Sequence, residues 1–154
     1  MDITDKANLY LFGVSDSGKV IKDILHASCR KMEAYVDDNK SVYTCYGRPV
    51  LHDASSLSPV IVSTGVNKIR KIIVVLLVVS NPAVLSAIAI LLCSIVSPST
   101  MIGEDRVVMA GAIIDADVVI GKHCIINMGA TIDQDGVNED YCYIAHPCKV
   151  LREN

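Results

Sequence analysis

From Val96 onward the chain places an aliphatic residue at every sixth position. Val96, Ile102, Val108, Ile114, Ile120, Ile126, Ile132, Asn138 and Ile144 keep that register, and all but Asn138 are Val or Ile. The residue that follows is usually small or acidic, as at Ser97, Gly103, Asp115, Gly121, Asn127, Asp133, Glu139 and Ala145. The fourth residue after each aliphatic is mostly small. An amphipathic strand alternates every two residues and a helix every 3.6, and neither keeps a six-residue register over such a length. The period therefore predicts a solenoid of short stacked strands. With three hexads to a coil, residues 18 apart form columns. Ile102, Ile120 and Asn138 share one, and Cys124 and Cys142 another. The stacked cysteines are expected to be small core residues, because no other metal-ligand types join them. Asn138 breaks its column, and an inward amide without partners costs roughly 1–3 kcal/mol.

The first half carries a different pattern. Leu9-Tyr10-Leu11-Phe12 is a short apolar run that suits a buried parallel strand. Gly13-Val14-Ser15-Asp16-Ser17-Gly18 follows as a small-residue loop, and Val20, Ile21, Ile24 and Leu25 then form the stripe of a helix. A second strand, Glu33 to Val36, ends at Asp37-Asp38, near the offset at which a Rossmann-type strand presents a carboxylate to a ribose or base. The helix N-terminus after the loop favours a phosphate. Gly-x4-Gly lacks both the third glycine of a dinucleotide fingerprint and the Gly-Lys-Ser/Thr of a P-loop, so a ligand-free turn stays open as a reading. Asp16 opposes a bound phosphate. Arg48 to Leu51 and Val60 to Ser63 read as further strands, and Gly65 opens a second helix through Asn67, Lys68 and Arg70. The half is α/β.

Composition narrows the function classes. The net charge is -3, and Lys68, Arg70 and Lys71 form the densest basic cluster, expected as a solvated helix face. Nucleic acid is not indicated as a partner. None of the six cysteines stands in a CxxC spacing, so no metal site is expected. The N-terminus does not resemble a signal peptide, and a cytoplasmic chain with buried, reduced thiols is expected. Ile72 to Val96 carries no charge and is long enough to span a bilayer. Ser80-Asn81-Pro82 interrupts it with a turn signal, so buried core is the favoured reading over a membrane helix. The organisation read from the sequence is an α/β domain over 1–71, an apolar connecting segment over 72–95 and the repeat over 96–154.

Taken together, Leu9 to Lys19, Tyr35 to Asp38, Gly47 to Leu51, Gly65 to Lys71 and Ile102 to Asp135 resemble the sugar O- and N-acetyltransferases of the sialic-acid and bacillosamine pathways. The resemblance implies a small Rossmann-like nucleotide-sugar-binding domain followed by a short left-handed parallel β-helix of about three coils, assembled as a homotrimer. It implies acetyl transfer from acetyl-CoA to an amino or hydroxyl group of a UDP-linked sugar. Gly13, Ser15, Ser17, Gly18, Asp37, Asp38 and Gly65 would then bind the substrate. In this family a β-helix histidine, followed by an acid, serves as general base, a role typically worth roughly 10²–10⁴ in rate. Gln134 occupies that histidine's position, and Asp135 is the acid. Glutamine cannot take up a proton, so impaired chemistry is expected. Asp16 and Ser17 replace a usual Gly and His, and Tyr143 stands where a second histidine is common. The family's later coils have no counterpart before the closing Ala145 to Val150, which predicts weak UDP binding, no measurable acetyl-CoA binding and no rescue by Gln134→His alone.

Three other readings compete. One is a catalytically inactive, trimerising module that binds a sugar nucleotide. Another is a fragment of a nicotinamide oxidoreductase, which the absent third glycine and the repeat disfavour. The last is a membrane-anchored protein, which depends on the segment from Ile72 to Val96.

Overall fold

The computed structural model describes residues 8–84, 89–90, 93–103, 106–146 and 148–151. The chain divides into two compact units, Met1–Ala87 and Ile88–Asn154.

The first unit is a five-stranded sheet with helices. Strand β1 (Leu9–Phe12) leads into helix α1 (Asp16–Ala27), then β2 (Met32–Val36), β3 (Thr44–Cys45), β4 (Arg48–Leu51), β5 (Val60–Val62) and helix α2 (Asn67–Ser80). The sheet order is β3-β4-β2-β1-β5, parallel except where β3 pairs with β4. Leu9, Leu11, Ile21, Leu25, Tyr35 and Ile61 are fully buried between α1 and the sheet. The β3–β4 hairpin has no counterpart in the apolar pattern. Its signal is local: Tyr46 (φ 43) and Gly47 (φ 74) both take the left-handed region, as a two-residue I′ turn requires.

The second unit is the solenoid that the six-residue period predicts. Each hexad gives a two-residue strand and a four-residue corner, and strands 18 residues apart stack in parallel. One face carries Ala89–Ile90, Val107–Val108, Ile125–Ile126 and Tyr143–Ile144. A second carries Ile95–Val96, Ile113–Ile114, Thr131–Ile132 and Lys149–Val150, and the third Met101–Ile102, Val119–Ile120 and Val137–Asn138. From Val108 to Ile132 the second residue of each strand points inward with the last residue of each corner. Val108, Ala112, Ile114, Val118, Ile120, Cys124, Ile126, Ala130 and Ile132 make one continuous core. The first strand residues Ile95, Met101, Ile113 and Val137 face outward. The third corner residue is left-handed at Gly111, Asp117, His123, Gly129, Asp135 and Tyr141, again six apart. Only two of these are glycine. Asp and His tolerate that region better than most side chains, and Tyr141 lies flat against His123 one coil away, ring centroids 4.9 Å apart. The architecture is that of a left-handed β-helix preceded by a small α/β part.

The structure corrects several expectations. Residues 72–95 are not one connector: α2 takes them as far as Ser80 in the first unit, and Ala89–Ile90 already belongs to the solenoid. Residues 85–88 and 91–92 of that segment lie outside the described residues. Asn81 ends α2 by donating its amide to the Leu77 carbonyl at 2.8 Å, as the turn signal predicts. The segment is also not uniformly buried. Val74 and Leu77 are buried, while Ile72, Val75, Leu76 and Val79 are exposed. Among the described residues, no helix is long and apolar enough to cross a membrane. The basic cluster splits: Lys68 and Lys71 are exposed, but Arg70 is buried. Its Nη1 donates to the Thr64 carbonyl and its Nη2 to Asn67 Oδ1, both at 2.8 Å, fastening the start of α2 to the loop before it. Of the cysteines, Cys124 alone is buried. Arg106, below Cys124 in the column, is buried where a small residue is the rule, and its guanidinium donates to the Ile120 and Gly121 carbonyls.

Asn138 does take its place in the Ile102–Ile120 column. Its Nδ2 is buried and has no hydrogen-bond partner among the described residues. Replacing it with valine removes the unpaired amide and restores the aliphatic register. Asn138→Val is expected to stabilise the chain by about 1 kcal/mol, read as a rise in the urea midpoint with an unchanged slope. A lower midpoint would show that the amide is satisfied in solution.

Candidate functional site

The parallel strands β1, β2 and β4 end together, and ligands of open α/β sheets bind outside such carboxyl ends. Gly13 leaves β1 with φ 108, a left-handed value that favours glycine. Ser15 is the N-cap of α1, and its Oγ accepts from the Gly18 amide at 3.1 Å. The hydroxyl therefore closes the helix end. Ser17 is half-buried in the first turn, and Asp16 beside it is exposed.

Gly18 is buried for a steric reason. A Cβ there would lie 2.9 Å from the Gly13 carbonyl oxygen, 3.1 Å from Ser63 Oγ and 3.2 Å from the Tyr35 ring. Those neighbours are interlocked. Ser63 Oγ lies 2.9 Å from both the Phe12 and the Gly13 carbonyl oxygens, and Tyr35 Oη donates to the Gly18 carbonyl at 3.3 Å. Burial pushes the Tyr35 phenol up to about 12, so it stays a neutral donor. Gly18→Ala is expected to lower stability by roughly 1–3 kcal/mol through overpacking and to displace the Gly13 loop. Thermal unfolding together with the amide spectrum of residues 13–18 checks this; an unshifted spectrum and melting point would mean the packing gives way freely.

Asp37 organises the loop. Its Oδ2 accepts from the Val14 amide and its Oδ1 from the Asn39 amide, each at 2.9 Å. Each carboxylate oxygen keeps a further acceptor site. Asp38 is exposed and lines a cavity of about 270 Å³ together with Phe12, Val36, His52, Asp53 and Leu77. His52 Nδ1 faces the Asp37 carbonyl at 2.9 Å and so carries the proton, which makes Nε2 the acceptor of the neutral ring. That Nε2 is buried with no partner among the described residues. Hydrogen bonding from the Ser55 amide holds the Asp53 carboxyl below its usual range, so it remains an anionic acceptor at the cavity rim. The cavity thus offers acceptors over an apolar floor, which suits a flat ring rich in N–H donors.

Gly65 lies in the loop between β5 and α2, where Arg70 holds the neighbouring Thr64 carbonyl. His52, Ser63 and Arg70 escape the sequence reading. For Arg70 a signal exists: with Val74 and Leu77 it forms an i, i+4, i+7 stripe, the spacing of a buried helix face.

In the solenoid, Gln134 and Asp135 sit at the corner between Thr131–Ile132 and Val137–Asn138, both exposed. Asp135 takes φ 60 and donates its amide to the Ala116 carbonyl of the coil before, at 3.0 Å. The corner stacks Asp115 under Asp133 and Asp117 under Asp135. It is acidic, and Lys149 Nζ approaches Asp133 at 3.4 Å. No imidazole shares this corner among the described residues. His123 occupies the corner after Val119–Ile120, and His146 the corner after Tyr143–Ile144. A Cβ on Gly129 would lie 3.0 Å from His146 Nδ1, so His146 packs along its own corner. No group of three or more metal-ligating side chains occurs among the described residues.

The structure thus brings Gly13, Ser15, Ser17, Gly18, Asp37 and Asp38 to one end of the sheet in the first unit. Gln134 and Asp135 are adjacent on one corner of the second.

Solved structures share this architecture. Perosamine N-acetyltransferase from Caulobacter crescentus, solved as a histidine-to-asparagine variant in complex with CoA and GDP-perosamine, matches with a TM-score of 0.82 and 30% identity over 89% of this chain and 68% of that one. The acetyltransferase domain of PglB from Neisseria gonorrhoeae, in complex with acetyl coenzyme A, matches with a TM-score of 0.80 and 28% identity over 90% of this chain and 70% of that one. WeeI from Acinetobacter baumannii, at 22% identity, a TM-score of 0.79 and 88% and 68% coverage, shares the fold. No family model matches the sequence, and no curated protein does.

Proposed function

The chain belongs to the hexapeptide-repeat sugar N-acetyltransferases, and on that premise we propose that it transfers an acetyl group from acetyl-CoA to a nucleotide-linked sugar, with a chemical step slowed by Gln134. The observation that carries the reading is the match of most of the chain to an acetyltransferase solved with CoA and GDP-perosamine. Acetyl-CoA is the acetyl donor in this reading, which replaces the expectation of no measurable acetyl-CoA binding. The acceptor amine attacks the thioester carbonyl, the new C–N bond forms, the C–S bond breaks and CoA leaves as the thiol. The attacking nitrogen must also lose a proton. Gln134 cannot accept it, so the proton passes to water, and Asp135 has no imidazole beside it to orient.

The nucleotide belongs to the first unit. Ser17, in the first turn of α1, presents backbone to the diphosphate, Gly13 and Gly18 shape the loop with their amides bonded to the Val36 carbonyl and Ser15 Oγ, and Asp37 braces it. Asp38, Asp53 and His52 Nε2 accept from the base. Gly65 stands in the neighbouring loop between β5 and α2. Ser15, committed to capping α1, contributes through the helix end. The resemblance suggests a UDP sugar, whereas the perosamine enzyme is solved with a GDP sugar. Guanine offers a carboxylate two adjacent N–H donors and uracil only one, so the acidic cavity favours the purine.

Calorimetric titration with acetyl-CoA, GDP and UDP tests the reading. Saturable acetyl-CoA binding and tighter binding of GDP than UDP are expected. Sugar-nucleotide binding with a flat acetyl-CoA titration would instead support the inactive binding module, which Gln134 favours. Assembly as a homotrimer is part of the proposal and rests on the resemblance; sedimentation equilibrium checks it.

A further inference from the structure

On the nucleotide reading of the first unit, we propose that Lys19 is the cation that binds the diphosphate of the nucleotide sugar. Tyr46 is the positioning residue that holds the Lys19 ammonium at the N-terminal end of α1.

A diphosphate at this end of the sheet meets the carboxylates of Asp16, Asp37 and Asp38, and like charges repel more strongly as water is excluded. The open amides at the start of α1 carry only a partial positive charge. A full cation beside them is therefore needed. The two lysines on this side of α1 differ in what they have left to offer. Lys22 Nζ lies 3.5 Å from Asp23 and 3.4 Å from the Tyr46 carbonyl oxygen. Lys19 is exposed, and among the described residues its Nζ meets no carboxylate. It lies over the Tyr46 ring, 5.3 Å from the centroid. An aromatic face attracts an ammonium without neutralising it. The charge stays free for an anion.

The placement of Tyr46 is what keeps the ammonium there. The turn between β3 and β4 holds Tyr46 at φ 43 and lays it along α1. Its carbonyl meets Lys22, its ring meets Lys19 and its hydroxyl bonds the Asp16 carboxylate. Those partners stand at i+6, i+3 and i on one ridge of the helix, so the side chain runs toward the first residue of α1. Desolvation, and after it the Asp16 charge, push the Tyr46 phenol above its ordinary value, so the hydroxyl keeps its proton. That bond occupies Asp16, which otherwise competes with phosphate for Lys19. The Tyr46 ring also meets that of buried Tyr35, centroids 6.2 Å apart, and Tyr35 Oη donates to the Gly18 carbonyl at 3.3 Å. One fixed residue thus sets both the perch and the loop. A lysine loses rotamer freedom when it binds, and the ring removes part of that loss in advance.

Titration of the full chain with GDP and, separately, guanosine, followed by amide chemical shifts, tests the assignment. Lys19→Met, at an exposed position, is expected to weaken GDP by roughly tenfold or more and to leave guanosine unchanged. Tyr46→Leu should weaken GDP by about two- to fivefold, and Tyr46→Phe, which keeps the ring face, should retain most of the affinity. Unchanged GDP binding by Lys19→Met would overturn the assignment and leave the nucleotide reading standing. Equal losses for GDP and guanosine would also overturn it, because they mark a structural effect. Wild-type affinity in Tyr46→Leu would remove the perch. A wild-type chain that binds neither compound would instead overturn the nucleotide reading itself.

Discussion

Gly121→Ala is expected to unfold or severely loosen the solenoid, at a cost on the order of 3 kcal/mol or more. A Cβ on Gly121 would overlap the Asp140 amide nitrogen and stand 2.5 Å from the Glu139 carbonyl oxygen. Both are backbone atoms of the next coil. That coil is fixed by the bond from the Gly121 amide to the Asn138 carbonyl at 2.8 Å and by the one from Ile125 to Cys142 at 2.9 Å. A side-chain obstacle could rotate away, but this one requires two coils to separate. Gly111→Ala is the control in the same unit. There the nearest atom to a new Cβ, the Gly129 amide nitrogen, lies at 3.8 Å, so only the φ of 69 is penalised, by about 1–2 kcal/mol. Chemical denaturation of both variants separates the two costs. Equal losses would mean that close approach between coils does not limit this fold.

Gln134→His is expected to raise acetyl transfer by roughly 10²–10⁴, the usual contribution of a general base. The sequence alone argued against rescue by this change, because the coils expected to hold CoA had no counterpart. The expectation of a gain rests instead on the proposed acetyl-CoA reading, because the chain spans 68% and 70% of two relatives solved with CoA and with acetyl-CoA. Asp135 stands next to the new imidazole, and the corner is held by the Asp135–Ala116 backbone bond at 3.0 Å, so the residue enters a fixed frame. Thiol release from acetyl-CoA in the presence of a 4-amino-sugar nucleotide measures the gain, with Gln134→Ala as reference. A rate for the histidine variant no higher than that of the alanine variant would remove position 134 from the chemistry.

The solenoid was legible because its rule is local and periodic. A residue's place in the hexad decides whether it points inward, and the inward burial of Ile114, Ile120, Ile126 and Ile132 follows from counting alone. The α/β unit was legible where apolar runs are continuous, as at Leu9–Phe12, and where a small-residue loop meets a helical stripe. It was less legible at α2. There hydrophobicity was read as burial, yet Leu77 is buried and Leu76 beside it is exposed, because one helix presents only one face to its sheet.

The candidate site was legible residue by residue but not in its divisions of labour. Gly13, Gly18, Asp37 and Asp38 were identifiable from spacing. That Asp37 accepts from the Val14 amide and that His52 lines the Asp38 cavity and bonds the Asp37 carbonyl depend on contacts between distant segments, whereas the Ser15 cap of α1 is local. The partner of Val14 lies 23 residues away, and that of Ser63 Oγ 50 or 51.

The sequence by itself determined the repeat, its 18-residue columns and the strand–loop–helix opening, since each is a matter of residue type at a fixed interval along the chain. Only the tertiary structure decided that Arg106 is buried and that Gly121 admits no side chain. Those outcomes depend on distances between segments that no interval along the chain encodes.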